Sequence, residues 1–300
     1  MNSSKLLSLI TFLFMIYTAD AQDAPHIKIY EGKVFNAVES PLKEEIVDGR
    51  VYHVIEPEFI AYFPEKQDSL HTSVIIFPGG GYARLAMGHE GLELGKAFNK
   101  LGITVFVLKY RLPNDSSMVN KSFVPLADAQ QAIHFVRKNA QKWNLNPTKV
   151  GVMGFSAGGH LAASLSTLYN YDNHHYNDSI SLRPDFCVLG YPVISFRDSV
   201  AHSGSKARLV GKKATEEMVK LFSCDEQVNA NTPPTLILVA ADDKTVPAIN
   251  SKLYYEALLK NKVPAEIHIF QNGGHGFGLN LPGGFTWVDI FKRWIVNNKF

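Results

Sequence analysis

The hydrophobic positions of the chain form short, continuous apolar runs that alternate with stretches of helical spacing. The apolar runs predict strands at residues 74–77, 104–110, 150–153, 186–189, 236–240 and 266–270. Between them, apolar residues recur at the helical period, which predicts helices at residues 88–101, 125–140, 156–168, 250–262 and 285–296. Fully apolar strands that alternate with helices are typical of a parallel sheet covered on both faces, so the predicted fold class is α/β.

Two segments depart from this alternation. Residues 27–62 carry weak strand signals, which favour an antiparallel edge to the sheet. Residues 195–231 are interpreted as a small insertion before the last strands, with a short helix near residues 215–222. No internal repeat or linker-like stretch divides the rest of the chain, so we expect residues 22–300 to form a single domain.

The amino-terminal residues 1–21 have the pattern of a signal peptide. Lys5 precedes an apolar stretch over residues 6–17, and residues 19–21 fit the small-x-small rule for cleavage before Gln22. The stretch is shorter than the roughly 20 apolar residues that cross a bilayer. We therefore expect a secreted or periplasmic protein, with an uncleaved anchor as the alternative.

Composition and charge narrow the classes of partner. The 30 basic and 28 acidic residues leave a net charge of +2, which gives no general attraction to nucleic acid or to an anionic membrane. A hydrophobic content of 46% is enough for a large core and excludes a disordered chain. The two cysteines, Cys187 and Cys224, form neither a disulfide framework nor a zinc motif, and we expect two free thiols.

A serine flanked by glycines follows the strand predicted at residues 150–153. Residues 154–158 read Gly-Phe-Ser-Ala-Gly, the Gly-x-Ser-x-Gly pattern, and a helix is predicted directly after them. Ser156 would then lie on a tight strand-to-helix turn, with its hydroxyl above the sheet and a helix N-terminus behind it. A glycine-rich turn with a capping serine would explain the pentapeptide alone, but its position favours a nucleophile.

A serine nucleophile needs a base, and the base needs a carboxylate to orient it. His275 follows the last predicted strand within the glycine-rich residues 273–278, where the chain is free to curl back over the sheet. Asp242 and Asp243 directly follow the strand at residues 236–240, and either is suitable as the acid. These three segments follow three predicted parallel strands, and ligands bind at the carboxyl ends of such strands.

Attack on a carbonyl carbon places negative charge on its oxygen, and N–H donors must stabilise that charge. Ala157 follows the serine, and Gly80 and Gly81 lie in the loop after the first apolar strand. Their backbone amides are the expected oxyanion donors. This chemistry requires no metal and no organic cofactor.

Further residues are expected to shape and support the site. Tyr82, His89 and Phe277 are first candidates for substrate binding, with the insertion at residues 195–231 as part of the rim. Arg111 and Asp128 are expected to form a buried ion pair that steadies the oxyanion loop.

Several longer strings carry a family resemblance. Tyr-Arg-Leu-Pro at residues 110–113, the glycine loop and Gly-Phe-Ser-Ala-Gly-Gly resemble the α/β-hydrolase superfamily, near the hormone-sensitive-lipase-like esterases. The strings at residues 78–82, 107–113, 151–161, 232–234 and 273–278 are still more similar to bacterial exported carbohydrate esterases of the acetylxylan and feruloyl type, a group often labelled xylanase. One departure is Pro78, which stands where the lipase-like proteins have a histidine.

The resemblance implies an α/β-hydrolase fold and assigns a role to each candidate. Ser156 is the nucleophile and His275 the base. Asp243 is the acid, because Asp-x-x-Val-Pro after this strand is the family's usual pattern. The oxyanion donors are Gly80, Gly81 and Ala157.

The implied function is a secreted serine esterase that removes acetyl or other short acyl groups from plant-type carbohydrates through an acyl-enzyme. The substrate is then a small-molecule or carbohydrate ester, with no nucleic-acid or membrane partner. The alternatives are a non-specific short-chain carboxylesterase and a prolyl-oligopeptidase-like peptidase, although residues 22–300 leave no room for the usual propeller domain. A glycosidase would need two facing carboxylates, which nothing in the sequence indicates.

Overall fold

The computed structural model describes residues 24–171, 173–174 and 176–300. The predicted signal peptide at residues 1–21 lies outside these described residues. The strands are β1 (His26–Lys28), β2 (Glu45–Val47), β3 (Arg50–Tyr52), β4 (Glu58–Tyr62), β5 (Ser73–Phe77), β6 (Thr104–Lys109), β7 (Val150–Phe155), β8 (Cys187–Gly190), β9 (Thr235–Ala240) and β10 (Ala265–Phe270). All six strands predicted after residue 73 are present, with bounds that differ by at most two residues.

Eight of these strands form one mixed sheet in the order β1-β4-β6-β5-β7-β8-β9-β10. The strands from β6 to β10 in this order pair in parallel. β4 is antiparallel to β6 and β1 to β4, so the predicted antiparallel edge is confirmed. Every residue of β5 to β9 is buried, which means that both faces of the sheet are covered. The remaining strands, β2 and β3, form a separate hairpin.

The helices are α1 (Glu93–Asn99), α2 (Val124–Lys138), α3 (Ala157–Leu168), α4 (Ser203–Leu209), α5 (Glu216–Leu221), α6 (Cys224–Gln227), α7 (Ile249–Lys260) and α8 (Val288–Asn298). A π-helical turn at Gly88–Leu92 precedes α1, so the helix predicted over residues 88–101 is divided in two. A short 3-10 turn at Pro282–Gly284 precedes α8. No helix within the described ranges has the length and apolar character needed to cross a membrane.

The insertion is more helical than the sequence predicts. Besides α5, which matches the short helix expected near residues 215–222, it contains α4 and α6. These helices have seven and four residues, too few for an apolar period to stand out. Cys224, at the start of α6, and Cys187 in β8 are both buried free thiols, as expected.

The buried ion pair expected between Arg111 and Asp128 is present, and its further hydrogen bonds go to the amino-terminal segment. Arg111 Nη2 lies 2.6 Å from Asp128 Oδ1, and both side chains are buried. Arg111 Nη1 donates to the carbonyl of Phe35 at 2.6 Å, and the Tyr30 hydroxyl donates to Asp128 Oδ1 at 2.9 Å. These bonds hold the amino-terminal segment against the core. None of them reaches the glycine loop directly, so the expected effect of the pair on that loop stays a prediction.

Candidate active site

Ser156 lies on a strained turn between β7 and α3. Its φ is 52° and its ψ is −117°, a backbone conformation that residues with a side chain rarely adopt. A Cβ on Gly154 would lie 2.1 Å from the carbonyl oxygen of Gly158, so the turn closes only because position 154 has no side chain. The tight strand-to-helix turn expected from the sequence is therefore present.

His275 joins this serine to a buried carboxylate. Its Nε2 lies 2.8 Å from Ser156 Oγ, and its Nδ1 lies 2.7 Å from Asp243 Oδ2. The backbone N–H groups of Thr245 and Val246 donate to the other oxygen of Asp243, at 2.9 Å each. Because a carboxylate can only accept, Nδ1 carries the proton and Nε2 faces the serine as an acceptor.

The neighbouring Asp242 has a different position. Its Oδ1 accepts from the backbone N–H of Gly274 at 2.7 Å, and this bond lowers the pKa of the carboxyl. Asp242 thus holds the turn that carries His275, while Asp243 contacts the imidazole. The structure distinguishes two adjacent aspartates that residue chemistry alone left equivalent.

The glycine loop after β5 lies directly against the serine. A Cβ on Gly79 would lie only 2.9 Å from the Cβ of Ser156. The next three residues, Gly80, Gly81 and Tyr82, have positive φ values of 125°, 66° and 58°. Such a run of left-handed backbone favours glycine, and it turns successive peptide groups in directions that a strand or helix does not allow.

Several backbone donors around this loop lack a protein acceptor among the described residues. The N–H groups of Ala83 and Arg84 both donate to the carbonyl of Gly80, at 3.1 and 3.3 Å, which closes the turn on itself. Among the described residues, the N–H groups of Gly80, Gly81 and Ala157 bond to no oxygen. These are the three amides expected to act as oxyanion donors, and they are available to a ligand.

Glu90, which sequence reasoning missed, connects the glycine loop to the turn that carries His275. Only 3% of this residue is exposed. One carboxylate oxygen accepts from the N–H of Gly79 at 2.8 Å, and the other accepts from the hydroxyl of Tyr191 at 2.9 Å. The Tyr191 oxygen in turn accepts from the N–H of Gly278 at 3.2 Å. A single buried side chain therefore restrains both loops.

A second restraint on the glycine loop comes from Tyr110, whose buried hydroxyl donates to the carbonyl of Pro78 at 2.7 Å.

Glu90 lies in the π-helical turn before α1, a type of turn that is frequent at functional sites. The only signal in the sequence was an acidic residue within a stretch whose neighbours are mostly apolar or small. That pattern does not distinguish a buried carboxylate from a solvated one.

The Tyr82 side chain is buried, and a substrate-binding role for this residue stays a prediction. The residue is 2% exposed, and its hydroxyl lies 2.9 Å from His160 Nδ1. His160 Nε2 lies 2.8 Å from the carbonyl of Phe222, so Nε2 carries the proton and Nδ1 accepts from Tyr82. Burial lowers the pKa of His160 to about 4. His160 therefore has a structural role in the core.

His89 and Phe277 lie beside the turn that carries His275. The His89 side chain is 45% exposed, and the carboxylate of Glu90 raises its pKa. Its ring also borders the site of Gly278, whose Cβ would lie 3.6 Å from His89 Cδ2. The Phe277 ring packs against Tyr191 with 4.6 Å between centroids. A substrate-binding role for both residues stays a prediction.

No group of three histidine, cysteine or carboxylate side chains within the described part of the chain is arranged to hold a metal ion. The polar contacts around Ser156 consist of a serine, an imidazole, a carboxylate and backbone amides. This arrangement can activate a hydroxyl, protonate a leaving group and stabilise an oxyanion.

The sequence matches one family model and is similar to several known proteins. The BD-FAE family model matches residues 61–258. An acetylxylan esterase of Xylanibacter ruminicola is 35% identical over 234 residues, which are 77% of this chain and 44% of that protein. An endo-1,4-beta-xylanase B of Butyrivibrio fibrisolvens is 37% identical over 73% of this chain and 34% of that protein. The chain therefore spans less than half the length of these curated relatives.

Solved structures agree with the fold. An acetyl ester-xyloside bifunctional hydrolase from Caldicellulosiruptor lactoaceticus superposes with a TM-score of 0.80 at 35% identity, covering 92% of this chain and 97% of that one. An esterase from Thermogutta terrifontis superposes with a TM-score of 0.68 at 23% identity, covering 81% of this chain and 90% of that one. The predicted α/β-hydrolase fold is thereby confirmed.

Proposed function

The chain belongs to the BD-FAE family of α/β-hydrolases, and from this premise we propose that it is a serine carboxylic ester hydrolase. The observation that carries the proposal is the continuous hydrogen-bonded path from Ser156 through His275 to Asp243, with distances of 2.8 and 2.7 Å. The amides of Gly80, Gly81 and Ala157 have no protein acceptor among the described residues and lie around the serine, where they can stabilise the oxyanion that forms at an acyl carbon.

Each group has a defined part in the proposed mechanism. His275 removes the hydroxyl proton of Ser156 as Oγ attacks the ester carbonyl, and Asp243 stabilises the imidazolium that forms. The amides of Gly80, Gly81 and Ala157 stabilise the oxyanion. The imidazolium then protonates the departing alcohol, leaving an acyl-serine, and water attacks this intermediate by the same route.

We propose that the substrate is an acetyl or similar short acyl ester of a xylan-type carbohydrate. The relatives named acetylxylan esterase and acetyl ester-xyloside hydrolase, at 35% identity each, support this choice. Residues 1–21 are proposed to act as a signal peptide, and residues 22–300 to form one exported domain. Export agrees with a polymeric substrate found outside the cell.

The direct test is replacement of the nucleophile. Ser156→Ala should lower hydrolysis of p-nitrophenyl acetate by at least about 10⁴-fold, because no other group supplies the attacking oxygen. Ser116→Ala, at an exposed serine, is the matched control and should keep its activity. Circular dichroism should give the same spectrum for all three proteins. Turnover by a folded Ser156→Ala variant would refute the proposed nucleophile.

Substrate class is tested by a profile on the wild-type protein. Acetate release from acetylated xylan is compared with cleavage of p-nitrophenyl decanoate and with cleavage of proline-containing peptide amides. We expect acetate release to dominate. A preference for the long acyl chain would replace the carbohydrate assignment by a lipase-like one, and peptide cleavage would replace it by a peptidase.

A further inference from the structure

His202, at the start of the insertion's first helix, lies beside the glycine loop. A Cβ on Gly81 would lie 3.7 Å from His202 Cε1, which is ordinary van der Waals contact. Gly81 carries one of the amides proposed to bind the oxyanion. The imidazole of His202 is therefore next to the place where the ester carbonyl would bind, although it is not part of the Ser156–His275–Asp243 path.

The tautomer of His202 follows from its hydrogen bonds. His202 is the N-cap of α4, and its Nδ1 accepts from the backbone N–H of Ser205 at 3.2 Å. The hydroxyl of Ser205 lies 2.8 Å from the same nitrogen. Because Nδ1 accepts from a backbone N–H, the neutral ring must carry its proton on Nε2.

The surroundings of the ring keep it neutral. Burial lowers the pKa of His202, and the nearby guanidinium of Arg208 lowers it further, whereas the carboxylate of Asp243 raises it. Within the part of the chain that the structure describes, Nε2 bonds to no acceptor. His202 thus presents one neutral N–H donor, held by a helix cap, at the edge of the candidate site.

A cleft of about 190 Å³ is formed by residues that adjoin the glycine loop and His202, although His202 itself does not line it. It is lined on one side by Tyr82 and Ala83, which continue the glycine loop, and on another by Arg208 of α4. Arg208 and His202 are neighbours, since a Cβ on Gly204 would lie 3.0 Å from Arg208 Nη1 and 3.3 Å from His202 Cε1. Asn114 also lines the cleft, so its walls offer polar groups to a polar ligand.

We propose that His202 is a specificity-determining residue that donates its Nε2–H to an oxygen on the alcohol side of the ester. An acetyl group has no acceptor besides its carbonyl oxygen, and the loop amides of Gly80, Gly81 and Ala157 take that oxygen. Apart from the bridging oxygen, which every ester has, the remaining acceptors near the ester are hydroxyl or ring oxygens of the alcohol. His202 therefore favours esters of polyhydroxylated alcohols over esters of apolar ones. This inference rests on the proposed esterase function.

The test compares two acetate esters that share the acyl group and differ in the alcohol. Methyl mono-O-acetyl-β-xylopyranoside carries hydroxyls and a ring oxygen on a six-membered ring, whereas cyclohexyl acetate has the ring alone. Acetate release gives kcat/KM for each ester. The readout is the ratio of the two values, sugar ester over cyclohexyl ester.

His202→Asn is the informative variant, because asparagine is among the best N-cap residues and keeps an acceptor for the Ser205 N–H while removing the distal donor. His202→Ala removes both the cap and the donor. We expect the ratio to fall about three- to tenfold in both variants, the range for one neutral hydrogen bond. His26→Asn, at an exposed histidine of β1, should leave the ratio unchanged.

Each other outcome overturns the inference. An unchanged ratio in His202→Asn shows that Nε2–H does not recognise the alcohol. A ratio that falls in His202→Ala and is restored in His202→Asn assigns the residue to capping alone. Equal losses on both esters move the donor to an oxygen that both esters share, the carbonyl or the bridging oxygen. If the wild-type protein cleaves neither ester, the proposed function itself fails, which the wild-type measurement reveals before any variant is compared.

Discussion

At the scale of single residues, Glu90 has the widest effect on the site's geometry. Its two carboxylate oxygens accept from Gly79 in the glycine loop and from Tyr191, whose oxygen in turn accepts from the N–H of Gly278 in the turn that carries His275. Buried polar groups are stable only when their hydrogen bonds are made, so removing this acceptor leaves two buried donors without a partner. No hydrogen bond joins Glu90 to Ser156 among the described residues. Glu90 therefore affects the position of the serine through the two loops that it holds.

We therefore expect Glu90→Ala to lower kcat for p-nitrophenyl acetate by about 10- to 100-fold while KM changes much less, because the oxyanion amides lose their orientation. Glu90→Gln should recover most of this loss, since its amide oxygen still accepts from the Gly79 N–H. Steady-state kinetics on both variants separates the two parameters. A wild-type kcat in Glu90→Ala, or a loss confined to KM, would contradict a positioning role.

At the scale of elements, the turn between β7 and α3 depends on close backbone contact. Gly154 and Gly158 approach so closely that a Cβ on Gly154 would lie 2.1 Å from a carbonyl oxygen. A second contact joins α3 to β5, because a Cβ on Gly158 would lie 2.1 Å from the carbonyl oxygen of Phe77. The strained φ of Ser156 is maintained by packing of neighbouring elements, not by its own preference.

Gly154→Ala should destabilise the fold by about 3 kcal/mol, because the added methyl meets backbone that cannot move aside without opening the turn. The matched control is Gly88→Ala, where the nearest atom to the new methyl would be 3.6 Å away. Alanine favours helix over glycine, so this control should be neutral or slightly stabilising. Urea unfolding gives both free energies. Equal stabilities for the two variants would show that the turn tolerates a side chain.

At the scale of the whole molecule, buried His160 links stability to pH. The pKa of this imidazole is about 4 in the folded protein and about 6.5 for an unperturbed histidine. Between these values the unfolded chain binds a proton that the native protein does not. The free energy of unfolding therefore decreases as pH falls from about 6.5 to 4, by about 3 kcal/mol from this residue alone.

In His160→Gln the free energy of unfolding should fall less steeply between about pH 6.5 and 4, by the slope that one bound proton contributes. This holds whatever the effect of the substitution on stability at neutral pH. Urea unfolding at several pH values gives the slope for wild type and variant. Ser116→Ala, at an exposed serine, removes no titratable group and is the control, so it should keep the wild-type slope. If His160→Gln and wild type lose stability in parallel, the buried imidazole is not the group that responds.

The sequence by itself determined the order of strands and helices and the loops that carry Ser156, His275 and the two aspartates. These features follow from local periodicity and from a rule of parallel sheets, because β7, β9 and β10 all end at the same edge. The tight turn at the serine was also predictable, since glycines flank it within a few residues.

Residue chemistry left both aspartates open as the partner of His275, and only the family pattern favoured Asp243. That Tyr82 is buried, and that Glu90 and His202 border the site, could be seen only in the tertiary structure. Each depends on contacts between distant segments: Glu90 and Tyr191 are 101 positions apart, and His202 reaches Gly81 from the insertion. A periodic pattern shows which face of an element is buried. It does not specify which loops meet, because that depends on how all the elements pack.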